Sequence, residues 1–394
     1  MSVLRPYDII ISEETFKRIK EYQEAIANGQ EIAGQRLQKI LNNTFGRELS
    51  SAEFIECLLC TKQPRIFAES EIVCDGSDWT HKELSLLGDI NVTMEAEIYD
   101  NGVWNPRDPS FIEYGMDSPL EGNLLFTPGA LLGTGQNFNG ISPDLEEIID
   151  EQGAIDQDKY NALVERRMLP LFADVNCKAE AEDVPALVVL PGIGCGAFAG
   201  QYRGQMGSFL QKALENILQN HGQNFDYIDC VYYDPFGECA NDTKDIHGIS
   251  FRTRPAIHNP GKPQLSEPQV FAEPGEDFSY MRLYKIVAWD HVSLPGNDFF
   301  GNSRFTDDGV SAAASNTMKI LTGVNGQYIQ GAYRPPKGFN SWEDVAERAV
   351  AYLRVTPDNI KIVCTKMTHK NLSLRALETE TAPARSHNLN APQL

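Results

Sequence analysis

The sequence predicts an α/β fold, a mixed sheet flanked by helices and preceded by a helical extension. Three observations predict it. The runs "ALVVLPG", "FDYIDCVYYDP" and "YMRLYKIVAWD" are short and apolar, as strands covered on both faces are. Helix-patterned segments separate them, and alternating strands and helices suggest a sheet with a parallel portion. Residues 12–60, by contrast, carry helical spacing throughout.

The elements follow in order. "SEETFKRIKEYQEAIANGQ" opens with Ser12 as N-cap, has Glu13 and Glu14 in its first turn, and spaces Phe16, Ile19, Tyr22 and Ile26 as one helix face. "EIAGQRLQKILNNTFG" and "SSAEFIECLLC" repeat the pattern, giving a helical extension over residues 1–87. From residue 88 the character changes: "INVTMEAEIYD" alternates and is β-branched, which predicts a strand. "SPDLEEIIDEQG", "QMGSFLQKALENILQNHG" and "TDDGVSAAASNTMKILTGV" read as helices between the later strands. "SWEDVAERAVAYLRV" adds a late helix and "IKIVCTK" a last strand, closing a unit over residues 88–365. Residues 366–394 are polar with little periodicity and read as a disordered tail.

Composition narrows the function classes. The 394 residues carry a formal net charge of −21, which argues against binding nucleic acid by neutralising phosphates. No stretch approaches the roughly 18 apolar residues of a membrane span. The N-terminus lacks a basic head followed by a long apolar run, so no signal peptide is expected. The cysteines are scattered, and Cys57 and Cys60 form a lone CxxC without a second pair. Reduced cysteines in a cytosolic, reducing compartment are expected, and no metal site.

Two loops carry chemistry. In "VVLPGIGCGAFAGQYRGQMG" glycines stand at 192, 194, 196, 200, 204 and 207, between a strand and a helix starting near Gln205 or Met206. Glycine lets a ligand approach the backbone, and the free N–H groups of a helix start attract anions, so a diphosphate is a natural guest. The spacing is neither the dinucleotide fingerprint nor a P-loop, and a tight strand-to-helix connection without ligand fits as well. The second loop, "VAWDHVSLPGNDFFGNSRFTDDGVSAAASNTM", gathers Asp290, Asp298, Asp307 and Asp308 among Phe299, Phe300 and Phe305. Carboxylates gathered there suit acid–base work on a sugar, and hard oxygen ligands also suit Mg²⁺. Helix capping by Asp307 or Asp308 and turn formation by Asp290 and Asp298 read the same residues without chemistry. His291 reads as a surface histidine.

Together the loops resemble those of macrodomains, and more closely the poly(ADP-ribose)-glycohydrolase-like macrodomains found in effectors of intracellular bacterial pathogens. "PGIGCGAFAG" is similar to that family's diphosphate loop, which implies that Gly192, Ile193, Gly194, Cys195, Gly196, Ala197 and Phe198 wrap ADP-ribose. "AWDHVSLPGNDFFGNSRFTDDGV" resembles its aspartate loop and implies a catalytic trio of Asp290, Asp298 and Asp308. Asp100 and Asn101 follow the early strand, where the resemblance implies an adenine contact. The implied fold is a macrodomain-like mixed sheet, and the implied activity is an ADP-ribosylhydrolase needing no cofactor.

The polymer-degrading glycohydrolases carry a Gly-Gly-Gly stretch and a Gln-Glu-Glu triplet. This chain has neither, which favours removal of single ADP-ribose units. The resemblance also implies an ADP-ribosylated protein as partner, since relatives act on arginine-linked ADP-ribose, including on ubiquitin. It implies entry into a host cell by a route independent of a signal peptide. Within the trio, Asp308 at a helix start is expected as the water-orienting base, Asp298 as an acid or hydroxyl ligand, and Asp290 at the distal ribose. A non-catalytic ADP-ribose reader and an interaction effector are the competing readings.

Overall fold

A computed structural model describes residues 7–44, 46–65, 78–102, 115–133, 142–349, 353–364 and 371–374. The first surprise lies at the start. Tyr7–Ser12 (β1) is a strand, and the same Ser12 then caps helix α1 (Glu13–Ala27), its hydroxyl accepting from Thr15 N at 3.0 Å. Helices α2 (Gln35–Asn42), α3 (Ser51–Leu59) and α4 (His81–Gly88) follow. The last two begin in full capping boxes, Ser50 with Glu53 and Thr80 with Glu83. Cys57 and Cys60 lie on and just after α3, and burial pushes their thiols up to about 11 and about 12.

The remaining strands are β2 (Asn91–Asp100), β3 (Gly115–Pro128), β4 (Ala186–Pro191), β5 (Ile228–Asp234), β6 (Asp242–Ile246), β7 (Ile249–Thr253) and β8 (Arg282–Trp289). They continue with the hairpin β9 (Gln327–Ile329) and β10 (Ala332–Arg334), then β11 (Ile360–Val363) and β12 (Asn371–Ser373). All but the hairpin form one ten-stranded sheet in the order β12-β11-β1-β2-β3-β8-β4-β5-β7-β6. Its centre, β3-β8-β4-β5-β7, is parallel, as the continuous apolar runs predict.

Each face of the sheet carries its own core. In β8, Leu283, Val287 and Trp289 enter one cluster, and Tyr284 and Ile286 the other. Helices α1–α4 pack on the first face, whereas α5 (Pro143–Ile148), α6 (Gln157–Glu182) and α7 (Met206–His221) lie toward the second. The long helix expected over "TDDGVSAAASNTMKILTGV" is two short ones, α8 (Asp307–Ala314) and α9 (Thr317–Thr322), broken at Ser315, whose ψ of 175° is extended. The late helix α10 spans Trp342–Ala349.

Helix α6 has no counterpart in the sequence reading. Met168 through Val175 are buried without interruption, Pro170 among them, so no polar stripe marks a helical period. The boundary expected at residue 87/88 also has no counterpart in the sheet. β1 sits between β11 and β2, Ile9 and Ile11 enter one core and Ile10 the other, and all three are fully buried. The N-terminal helices are thus joined to the sheet by one of its inner strands. Part of the expected tail is ordered as well: β12 pairs antiparallel with β11, and Leu374 is buried. The rest of that stretch lies outside the described residues. Ile11→Ala is expected to lower unfolding free energy by about 2–4 kcal/mol in a single transition, measured by chemical denaturation. A main transition left unmoved would support a separate extension.

Candidate functional site

Strands β3, β8, β4 and β5 are consecutive in the sheet, parallel, and end at one edge. Four loops leave that edge, at Pro128, Trp289, Pro191 and Asp234. Ligands of open α/β sheets bind in this position, beyond the carboxyl ends of the strands.

The glycine loop is shaped first by its neighbour. Gly194 has φ +73°, and a Cβ there would stand 3.0 Å from Ala130 N. Gly200 (φ +51°) lies so close to Gly133 that its Cβ would be 2.4 Å from Gly133 Cα. Leu132 N and Gly133 N both donate to Phe198 O, at 2.7 and 2.8 Å. Gly194 and Gly200 therefore permit one loop to lie backbone to backbone on another, a second reason for glycine at Gly194 beside the ligand contact expected there. Gly196 differs, because a Cβ there would meet nothing within 4 Å. The N–H groups of Gly194, Gly196, Ala197 and Phe198 have no acceptor among the described residues, and Gly196 and Ala197 are exposed. Ile193 and Cys195 turn their side chains into the core, leaving only their backbones for a ligand.

The start of α7, expected as an anion site, already holds an anion of the protein's own. Glu238 accepts from Gly207 N at 2.6 Å and from Gly204 N at 3.0 Å. A diphosphate thus has the 196–198 amides available rather than the helix start. Gly192 lies near the next loop: a Cβ added there would come within 3.5 Å of Pro235 Cα. Beyond that contact opens a cleft of about 420 Å³, walled by Gly102, Asp234, Phe236, Phe305, Thr306 and Asp307.

The aspartate loop brings the predicted trio together. Residues 291–300 are all buried. Gly296 suits its place because φ is +87° and a Cβ there would fall 2.9 Å from Ala312 Cβ. Asp290 accepts from Val292 N (2.7 Å), Ser293 N (2.6 Å), Ser293 Oγ and Asn297 Nδ2 (3.1 Å). Asp298 accepts from Phe305 N (2.5 Å), Thr306 N (3.0 Å) and Thr306 Oγ1 (2.7 Å). It fits only because residue 309 is glycine, since a Cβ there would stand 1.5 Å from Asp298 Oδ1. Asp308 accepts from Asn297 N at 3.0 Å, and its other oxygen meets Thr306 Oγ1.

Thr306 is therefore the hub, and the sequence reading missed it. It caps α8, its hydroxyl accepting from Gly309 N, where Asp307 or Asp308 was expected as the cap. One hydroxyl carries one proton and cannot donate to Asp298 and Asp308 together. A proton on Asp308 would resolve the geometry, with Asp308 donating to Thr306 and Thr306 to Asp298. The electrostatics agree, because burial, and after it the neighbouring Asp298 carboxylate, pushes the Asp308 carboxyl well above the usual range. The arrangement therefore favours the protonated form of Asp308, whereas the sequence reading expected an ionised base at that position. The helix dipole favours a charge there, but burial and a like charge outweigh it.

Asp307 points elsewhere. It accepts from Ala288 N (2.9 Å) and pairs with buried Lys285 (3.2 Å), on the wall of the cleft. His291 is fully buried, not on the surface; its Nε2 lies 3.1 Å from Asp144 Oδ2 and its ring 6.3 Å from the half-buried Phe198. Burial opposes the charge on Asp144, but Arg167 and His291 hold its carboxyl well below the usual range. Arg167, on α6, also donates to Gly129 O at 3.3 Å and so supports the loop under the glycines.

Asp100 is 1% exposed, and its oxygens are taken by Gly102 N (2.8 Å), the Arg304 guanidinium (3.1 Å) and Tyr328 OH (2.6 Å). It ties β2 to the aspartate loop and the β9–β10 hairpin, and Gly102 is the nearby residue that reaches the cleft. Asn101 O accepts from Leu265 N. Among the described residues no group of His, Cys, Asp and Glu has the arrangement of a metal site. No described helix is long and apolar enough to cross a membrane.

A mixed sheet flanked by helices, with a glycine loop and an aspartate loop leaving adjacent parallel strands, defines a macrodomain. Residues 7–339 match the family described as "Macrodomain effector MavL", and the chain belongs to that family of macrodomain effectors. The match crosses residue 87, as the sheet does. No curated protein matches the chain. Membership associates the protein with ADP-ribose and with action inside a host cell.

Proposed function

We propose that the protein is an ADP-ribosylhydrolase that removes single ADP-ribose units from a modified protein. The observation that carries this reading is the pair of buried carboxyls, Asp308 and Asp298, that meet on one hydroxyl, that of Thr306, a residue that lines the cleft. A reader of an anionic ligand gains nothing from two carboxyls kept there; a hydrolase needs a proton to give. Water adds its oxygen to the anomeric carbon, the bond to the acceptor nitrogen breaks, the leaving group takes a proton from Asp308 by way of Thr306, and a carboxylate takes one from the water. Arginine-linked ADP-ribose, including that on ubiquitin, is the substrate class the resemblance supports.

The competing reader is favoured by one feature: each oxygen of Asp290 already has donors from its own loop, as a bracing group would. Incubation with mono-ADP-ribosylated protein separates the two. The hydrolase releases ADP-ribose, and the reader retains the modified protein intact. Ligand binding has its own test. Gly196→Leu fills the open space beside the 196–198 amides, and is expected to weaken ADP-ribose at least about tenfold in calorimetry while leaving the melting temperature in place. Unchanged affinity in that variant moves the ligand away from the glycine loop.

A further inference from the structure

We propose that residues 61–63, contributed by the N-terminal segment, brace the aspartate loop, with Lys62 as a positioning residue for the trio; this rests on the reading of that loop as the hydrolytic centre. Lys62 is 3% exposed. Its Nζ donates to Asp290 O at 3.2 Å and His291 O at 2.7 Å, and lies 3.9 Å from the centroid of the Trp289 ring. The next residue extends the contact: Gln63 N donates to Val292 O at 2.8 Å, and Leu294 N donates to Gln63 O at 2.6 Å. Thr61 anchors the other side, its hydroxyl accepting from Trp79 Nε1 at 2.9 Å.

Asp290 is thus held twice, at its carbonyl by Lys62 and at its carboxylate by its own loop. The second grip passes through Asn297, whose Nδ2 donates to Asp290 and whose N–H donates to Asp308. A displacement at the carbonyl of Asp290 is therefore carried to the acid of the trio. The ammonium stands where an apolar side chain would pack at lower cost, because burial pushes Lys62 down to about 7. A costly group kept in place points to position rather than stability as its contribution.

The test is Lys62→Met in the full chain, which keeps length and burial and removes the donor. Loss of a positioning contact is expected to lower kcat about 10- to 100-fold with KM within about threefold, and to speed amide exchange at Leu294. Thermal stability should not fall, whereas a merely structural ammonium would show as lost stability with kcat intact. The inference is overturned by a kcat within about twofold of the parent, or by unchanged exchange at Leu294. If the parent itself releases no ADP-ribose, the hydrolytic reading falls, and exchange at Leu294 still decides the brace. Where Lys62→Met does not fold, Lys62→Gln, a shorter donor, is judged on the same measurements.

Discussion

Asp298→Ala is expected to reduce release of ADP-ribose from modified protein by about a thousandfold or more. Asp298 is where the loop's bonds converge, taking Phe305 N, Thr306 N and the Thr306 hydroxyl. Removing it takes away the carboxylate that holds the Thr306 hydroxyl, and so frees the relay between Asp308 and the leaving group. It also leaves buried donors unpaired, at about 1–3 kcal/mol, so the variant must be checked for folding before its rate is read. Groups that act as a unit are non-additive, so Asp290→Ala and Asp308→Ala should each cut turnover severely, and the triple variant should be little worse than the worst single one. ADP-ribose affinity should hold or rise as negative charge leaves a site for an anion. Steady-state release of ADP-ribose decides the matter. A folded Asp298→Ala protein turning over at the parent rate would end the hydrolytic reading and leave the reader in its place.

How much of this the sequence disclosed depends on range. β4, β5 and β8 were legible because a strand buried on both faces is largely apolar. That Asp290, Asp298 and Asp308 come together was legible because they fall in one short stretch, a loop and the first turn of the helix after it. β1 was hidden because "YDIIIS" is six residues long, shows no alternation and runs straight into the cap of α1; its parallel partner β11 lies some 350 residues on. The occupation of the α7 start by Glu238 depends on a contact 31 residues away, and the grip of Lys62 on Asp290 spans 228. Neither leaves a periodic trace. The raised Asp308 carboxyl was hidden for a different reason. The helix dipole is a local property that the sequence displays, whereas desolvation and the approach of Asp298 exist only once the loop has folded back on itself. Gly309 was the one local sign of that approach, since no larger residue leaves room for Asp298.

Asp308→Asn is expected to abolish turnover and yet stabilise the protein at neutral pH, by about 0.5–2 kcal/mol. Asparagine copies the neutral acid in shape: its oxygen can accept from Asn297 N and its amide can donate to Thr306. It cannot give up a proton, so the chemistry is lost. The sign of the stability change follows from linkage. Burial and the Asp298 carboxylate raise the Asp308 carboxyl in the folded protein, whereas in the unfolded chain it titrates near 3.9. Below that value both states hold the proton and no penalty exists. As pH rises above it, the unfolded chain loses its proton while the folded protein keeps it, so parent stability falls until the folded carboxyl itself titrates. The advantage of the variant should therefore be smallest near pH 4, grow toward neutrality, and level off once Asp308 ionises. Denaturation curves of both proteins at several pH values measure it. An acid role adds that parent kcat should decline as pH rises through the folded titration. If Asp308→Asn is instead less stable than the parent at pH 8, Asp308 is an ionised brace; the proton assigned to it does not exist, and the trio then serves to hold the loop.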